Sequence, residues 1–180
     1  MLGKLFVRRV GKKILIGKIV ETEAYKNNDP ACHAYKGRTP RTEVMFWEGG
    51  FLYVYFTYGM HFCTCVVSHR AGRGEAVLIR AVEPIVGLEV MRKNRDIPLN
   101  QWNNGTMNQL TNGPAKFSKA FGLAKNQNGL SLLDDELFIL DAEPIPPSQT
   151  GISSRIGITS AAEKQWRFFV RGNEWVSRKS

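Results

Sequence analysis

The sequence contains little cysteine and no long apolar run. Its three cysteines are Cys32, Cys63 and Cys65, a small and odd number that does not suit a disulfide framework and favours a reducing compartment. No apolar stretch approaches the ~20 residues that cross a bilayer, and the basic first residues lack the continuous apolar segment of a signal peptide. We therefore expect an intracellular protein with no membrane association.

The common phosphate-binding and metal-binding signatures are missing as well. No Gly-x-Gly-x-x-Gly, no glycine-rich loop followed by Gly-Lys-Ser/Thr and no His-Glu-x-x-His occurs, which excludes the commonest cofactor enzymes. Cys32 and His33 can be grouped with His61, Cys63 and Cys65 as metal ligands. However, a Cys-x-Cys pair on a strand is not the Cys-x-x-Cys knuckle of zinc ribbons. Cysteines buried as small hydrophobic residues are the better interpretation, and we expect no metal.

The chain does have an ordinary globular composition and a strong positive charge. Hydrophobic residues make up 43% and charged residues 23%, as in soluble domains, and 180 residues suit one domain. Lysine and arginine number 25 against 16 acidic residues, a net charge of +9. This excess favours an anionic partner. Nucleic acid is favoured over a membrane because no segment predicts a basic amphipathic helix.

Predicted strands outnumber predicted helices. The strands are residues 14–25, 51–57, 62–67, 76–82, 137–140 and 167–170. The helices begin at Glu83-Pro84, at Gly113-Pro114 with Gly122 as the stop, and at the capping-box spacing of residues 160–163. The absence of a strand–helix–strand rhythm predicts a single α+β domain over residues 1–180 with a mostly antiparallel sheet.

The first long predicted strand ends in the sequence VETEAY, residues 20–25. A period of two places Glu21, Glu23 and Tyr25 on one face, so that a candidate general base lies beside an aromatic ring. Glutamates on a strand are more often solvated or salt-bridged, and Arg80 in an apolar strand more often pairs with a carboxylate than serves catalysis. Spacing alone leaves both interpretations open.

Several tyrosines lie close in sequence to basic turns. Tyr53, Tyr55 and Tyr58 occur between the turns at residues 37–41 and 69–74. Aromatic residues interleaved with cations are typical of proteins that stack bases and contact phosphates. A sheet core flanked by solvated turns explains the same pattern.

Six segments, taken together, resemble a known family. They are GKIVETEAY (17–25), ACHAYKGRTPR (31–41), MFWEGGFLYVYFTYGM (45–60), AVLIRAVEP (76–84), NGPAKF (112–117) and RFFVRGNEWVS (167–177). In order and spacing, the chain resembles the alkyladenine, or 3-methyladenine, DNA glycosylase family from about Leu2 to Ser177.

The resemblance implies a curved antiparallel sheet and a monofunctional enzyme that starts base excision repair. Such an enzyme acts as a monomer, with no cofactor or metal, and is found with the DNA in the nucleoid or nucleus. It flips alkylated purines out of double-stranded DNA and hydrolyses the N-glycosidic bond. The implied substrates are 3-methyladenine and 7-methylguanine, with hypoxanthine and ethenoadenine as further candidates. The alternative is a non-catalytic binder of damaged or distorted DNA.

The matching positions imply a role for each site residue. Glu23 corresponds to the general base that activates water, and Arg80 lies beside that water. Tyr25, His33 and Tyr55 correspond to the residues that hold the flipped base.

Further positions concern DNA contact and selectivity. Tyr58 corresponds to the side chain that inserts into the duplex, and Arg38 and Arg41 are candidate contacts to the DNA backbone. Two features depart from the family pattern. The loop before His33 is shorter than usual, and Cys65 replaces an asparagine on the pocket floor that disfavours the 2-amino group of guanine.

Overall fold

The computed structural model describes residues 1–177 and contains one continuous antiparallel sheet. Its strands are β1 (Leu5–Val10), β2 (Lys13–Tyr25), β3 (Leu52–Thr57), β4 (His61–Val67), β5 (Ala76–Val86), β6 (Leu137–Leu140), β7 (Thr150–Ser153) and β8 (Arg167–Val170). The order is β3-β4-β5-β2-β1-β6, with β8 paired to β2 and β7 paired to β8. All these pairings are antiparallel, which confirms the predicted α+β class.

Short helices connect the strands. They are α1 (Leu88–Asn94), α2 (Asn104–Met107) and α3 (Pro114–Ala120), with 3-10 turns at His33–Lys36, Glu43–Phe46, Leu99–Gln101, Lys125–Gln127 and Pro147–Gln149. Helix α3 has proline at its first position and is followed by Gly122 at a φ of +67°, as its sequence predicts. Between residues 1 and 177, no helix has the length and apolar character needed to cross a membrane.

Two predicted helix starts are wrong. Pro84 lies inside β5, opposite Gly17 of β2 and next to a register shift, so the strand continues to Val86 and the helix begins only at Leu88. A proline is tolerated there because the ladder is already irregular. Residues 160–163 form bends and a turn, because Ala161 has a left-handed backbone with a φ of +52° that an α-helix does not allow.

The two faces of the sheet bury different layers. Alternate residues such as Leu52, Val66 and Ile79 pack with Phe117 and Phe121 of the α3 region. Their neighbours along the strands point the other way, into a second buried layer of mostly smaller and aromatic residues. This layer contains Cys32, Ala34, Val44, Met45, Phe46, Tyr53, Cys63, Cys65, Val67, Ala76 and Leu78. The helices therefore cover one face and leave the other for the candidate site.

Strand β2 changes partner along its length. Its first half pairs with β1, whereas residues Glu21 to Glu23 pair with Phe169 to Arg167 of β8. Its pairing with β5 shifts register on both sides of Glu21, which leaves Arg80 of β5 between two paired residues and without an opposite residue of its own. Such a bulge re-aims a side chain. The irregularity brings Arg80 to the carboxylates of β2.

Candidate active site

A pocket opens on the face of the sheet that carries the second buried layer. Six of the residues to which the family resemblance gives a role line it, namely Tyr25, His33, Tyr55, Tyr58, Cys65 and Arg80. Its wall is completed by the segment from Ile156 to Ile158 and by Pro114. The chain thus brings together residues from β2, β3, β4 and β5 and from four connecting segments.

Glu23 is fully buried directly behind this wall. Its Oε1 accepts a hydrogen bond from the backbone N–H of Ile156 at 2.7 Å and lies 3.1 Å from Nη1 of Arg80. Its Oε2 accepts from the hydroxyl of Tyr25 at 2.8 Å. Tyr25, Arg80 and Ile156 all line the pocket. The carboxylate is therefore held by three residues of the pocket lining.

The aromatic residues of the pocket form a connected set. The rings of Tyr53 and Tyr55 stack with centroids 5.3 Å apart, and the His33 ring meets Tyr55 edge-on at 4.6 Å. Nδ1 of His33 lies 3.0 Å from the hydroxyl of Tyr53. His33 therefore reaches the pocket despite the short loop before it. These contacts hold the three rings in fixed orientations.

Burial keeps the ionisable rings neutral. It lowers the pKa of His33, and the nearby positive charge of Arg41 lowers it further, so His33 is uncharged at neutral pH. Burial also raises the pKa of Tyr25, as does the adjacent Glu23 carboxylate, and burial raises the pKa of Tyr53 to about 12. These rings therefore present neutral π faces to the pocket.

Two cysteines, Cys63 and Cys65, also line the pocket. Burial raises the pKa of Cys63 to about 11 and that of Cys65 well above its usual value, so both remain thiols. Cys65 lies opposite Tyr53 in the β3–β4 ladder and faces the pocket. Across residues 1–177, no group of three or more histidine, cysteine and acidic residues is arranged to hold a metal ion.

Tyr58 projects from the turn between β3 and β4. Its side chain is 81% exposed, and its backbone φ of +51° is a left-handed conformation uncommon for a residue other than glycine. Phe56 and Met60 on the same hairpin are 50% and 70% exposed. Tyr58 is therefore not a core residue. The hairpin presents an apolar tip at the pocket rim.

The structure differentiates the two candidate phosphate contacts. Arg38 lies 3.5 Å from the Glu43 carboxylate and over the ring of Phe46. Arg41 donates to the carbonyl of Phe56 at 3.3 Å and carries the charge that acts on His33. Arg41 is thus placed at the pocket mouth, beside the exposed hairpin. Neither arginine lines the pocket itself.

Sequence reasoning did not identify Asp29, Arg155 and Ile156 as site residues. The Arg155 guanidinium pairs with Asp29, including a hydrogen bond from Nη2 at 3.0 Å, and lies 4.6 Å from the centre of the Tyr25 ring. This buried pair ties the segment carrying Ile156 to the loop after β2. The two residues lie 126 positions apart in the sequence, and no local sequence pattern predicts that they pair. Only the folded structure shows this ion pair.

Comparison with known proteins identifies the family of this chain. The family model of Methylpurine-DNA glycosylase matches residues 1–174. A protein named "Putative 3-methyladenine DNA glycosylase" from Carboxydothermus hydrogenoformans is 43% identical, covering 99% of this chain and 91% of that protein. Proteins of the same name are 44% identical in Francisella tularensis subsp. tularensis, covering 99% and 91%, and 42% identical in Chlorobaculum tepidum, covering 99% and 83%. The chain therefore belongs to the methylpurine-DNA glycosylase family and is a DNA glycosylase.

Proposed function

We propose that this glycosylase excises alkylated purines, 3-methyladenine and 7-methylguanine among them, from double-stranded DNA by direct attack of water on the sugar C1′. The observation that carries the proposal is the buried Glu23 carboxylate, paired with Arg80 and hydrogen-bonded by Tyr25 and Ile156, immediately behind an aromatic pocket. Glu23 is the general base. Arg80 lies beside the attacking water. All these groups come from one chain, so a monomer suffices.

The chemistry of the leaving group explains why few catalytic residues are needed for base release. An N-alkylated purine such as 3-methyladenine is positively charged and leaves readily, so the enzyme chiefly activates water and stabilises an oxocarbenium-like sugar. One carboxylate serves both needs, since it accepts the water proton and places negative charge near the developing cation. The neutral rings of Tyr25, His33 and Tyr55 suit an electron-poor base, because cation–π attraction contributes about 0.5–2 kcal/mol.

Release of free base from defined duplexes tests the proposal. Purified protein is incubated with duplexes carrying 3-methyladenine, 7-methylguanine, hypoxanthine or ethenoadenine, and the free base and abasic sites are counted separately. We expect release of alkylated bases without strand cleavage and without added metal. Binding to these duplexes without any release would identify a non-catalytic binder of damaged DNA and refute the proposal.

Replacement of Tyr58 tests base flipping. If the exposed tyrosine fills the space that the flipped nucleotide leaves, Tyr58→Ser should weaken binding to damaged duplex and slow excision from it. Excision from single strands should change much less, because no stack needs opening there. The melting temperature should hardly change, since the side chain is 81% exposed. Equal losses on both substrates would contradict the wedge role.

The salt dependence of binding tests the phosphate contacts. Affinity for undamaged duplex should fall by roughly 0.9 log unit per log unit of salt for each phosphate neutralised. Arg41→Ala should lower this slope by about one. Arg38→Ala should lower it less, because Glu43 already pairs with Arg38. Unchanged slopes for both variants would show that neither arginine contacts the DNA backbone and would favour other residues, for example Arg70 and Arg73.

A further inference from the structure

A second carboxylate is buried beside the proposed catalytic pair, and the mechanism above does not use it. Glu21 is fully buried. Its Oε1 accepts from Nε of Arg80 at 3.1 Å, from Nε of Arg167 at 2.7 Å and from the hydroxyl of Ser177 at 2.9 Å. Its Oε2 accepts from the backbone N–H of Ser177 at 2.7 Å. Four donors from three separate segments converge on one side chain.

Arg80 is shared between this carboxylate and Glu23. Its Nη1 lies 3.1 Å from Glu23 Oε1, its Nε donates to Glu21, and its Nη2 donates to the hydroxyl of Ser177 at 3.4 Å. Each guanidinium nitrogen therefore has a different partner. Because the fork of arginine is planar and rigid, three partners on three nitrogens fix both its position and its tilt.

The charges in this cluster balance only when Glu21 is present. Two carboxylates, Glu21 and Glu23, meet two guanidinium groups, Arg80 and Arg167. Loss of the Glu21 charge leaves two buried cations close to the single carboxylate of Glu23. Arg80 then keeps only Glu23 and the Ser177 hydroxyl as partners, and the unbalanced buried charge favours a shift of its guanidinium toward the Glu23 carboxylate.

We propose that Glu21 is a positioning residue that holds Arg80 at the geometry required for water activation by Glu23, with Ser177 completing the hold. The inference rests on the proposed function, in which Glu23 and Arg80 are catalytic. Val176 is buried next to Ser177, so the segment that supplies two of the four donors is itself anchored. Val176 and Ser177 thereby help to hold Glu21 and Arg80 in place.

A purely structural role for the same cluster makes a different prediction. If Glu21 only stabilises the fold, its replacement lowers the melting temperature and the fraction of active enzyme, but not the rate constant of the molecules that remain folded. If Glu21 acts through Arg80, the rate constant falls, and it falls only while Arg80 is present. A double-mutant cycle separates these outcomes, because residues acting through one another are not additive.

The experiment measures the single-turnover rate of 3-methyladenine release from methylated duplex DNA with enzyme in excess. We expect Glu21→Gln to lower the rate constant about 10- to 100-fold in the wild-type background. In the Arg80→Met background we expect it to change the rate less than about twofold. Affinity for abasic-site duplex should be unchanged. The same fold-loss in both backgrounds, or a full rate constant with only a lower melting temperature, would overturn the proposal.

A variant that preserves every charge covers the case in which Glu21→Gln does not fold. Ser177→Ala removes one hydroxyl from both Glu21 and Arg80 but keeps the backbone N–H bond. We expect a loss of about two- to fivefold in the rate constant, restored by Ser177→Thr. No loss with Ser177→Ala, or no restoration by threonine, would count against the positioning role.

Failure of this inference can be told apart from failure of the proposed function. If Glu23→Gln retains the wild-type rate, the catalytic assignment itself is wrong. If Glu23→Gln abolishes release while the Glu21 effect is additive with that of Arg80, the function stands and only the positioning role fails.

Discussion

Replacing Glu23 by glutamine should lower the single-turnover rate of base release roughly 10²- to 10⁴-fold, as expected for loss of a general base. The structure makes glutamine a close substitute. Its carbonyl can still accept from Ile156 and Arg80, which both contact Oε1, and its amide can donate to the Tyr25 hydroxyl in place of the bond that Tyr25 gives to Oε2. The substitution thus removes the charge and basicity while the hydrogen bonds can be kept.

Binding should survive this substitution. Affinity for duplex containing an abasic site should stay within about twofold, since such DNA requires no water activation. Glu83→Gln is a matched control, because Glu83 is a partly buried glutamate on β5 whose partner is Asn173 at 2.8 Å, and it does not line the pocket. Equal loss in both variants, or no loss with Glu23→Gln, would refute the assignment of the base.

Replacing Cys65 by asparagine should shift the substrate preference of the enzyme away from guanine lesions. Cys65 lines the pocket. A thiol is smaller than an amide and offers only a weak donor and a weak acceptor, so it leaves more room and less polarity than the asparagine that the family resemblance implies at this position. We expect wild-type protein to excise 7-methylguanine comparatively well. In Cys65→Asn, the ratio of 7-methylguanine to 3-methyladenine release should fall about 5- to 150-fold, which corresponds to about 1–3 kcal/mol of discrimination.

The ratio of two rates on one enzyme makes this measurement insensitive to stability. An asparagine buried at this position lowers the amount of folded protein for both substrates alike. Cys65→Ser serves as the control, because it adds polarity without adding bulk, and its ratio should remain near that of the wild type. An unchanged ratio in Cys65→Asn, or one that moves toward guanine, would show that Cys65 does not contact the guanine edge.

The sequence was sufficient to predict most of the strands and the strand face on which the site residues lie. Alternation along residues 21–25 and 53–55 places Glu23 with Tyr25 and Tyr53 with Tyr55, and the structure confirms both pairs, the first by a hydrogen bond and the second by stacking. Alternation is reliable here because successive side chains of a strand must point to opposite faces. The helix start predicted at Pro84 is wrong, because this proline lies inside β5 next to a register shift.

The sequence alone also left two interpretations of Glu21 and Glu23, a solvated or salt-bridged strand face and a catalytic site. Neither residue is solvated, since both carboxylates are fully buried. Both are salt-bridged, Glu21 to Arg80 and Arg167 and Glu23 to Arg80. The β-strand period of two predicts that both glutamates lie on the same face of the strand, but it does not predict which side chains they contact. Their separate surroundings come from β8, from Ser177 and from Ile156, all more than 130 residues away.

By itself, then, the sequence determined the antiparallel α+β class, the aromatic and acidic residues available for a base pocket, and the family to which they correspond. Local periodicity and residue order carry that information, since both are properties of neighbouring residues. Only the tertiary structure decided that a bulge turns Arg80 toward both carboxylates, that Asp29 and Arg155 clamp the wall of the pocket, and that Tyr58 projects outward. Each depends on pairing between distant segments, where a shift of one residue reverses the face of every side chain.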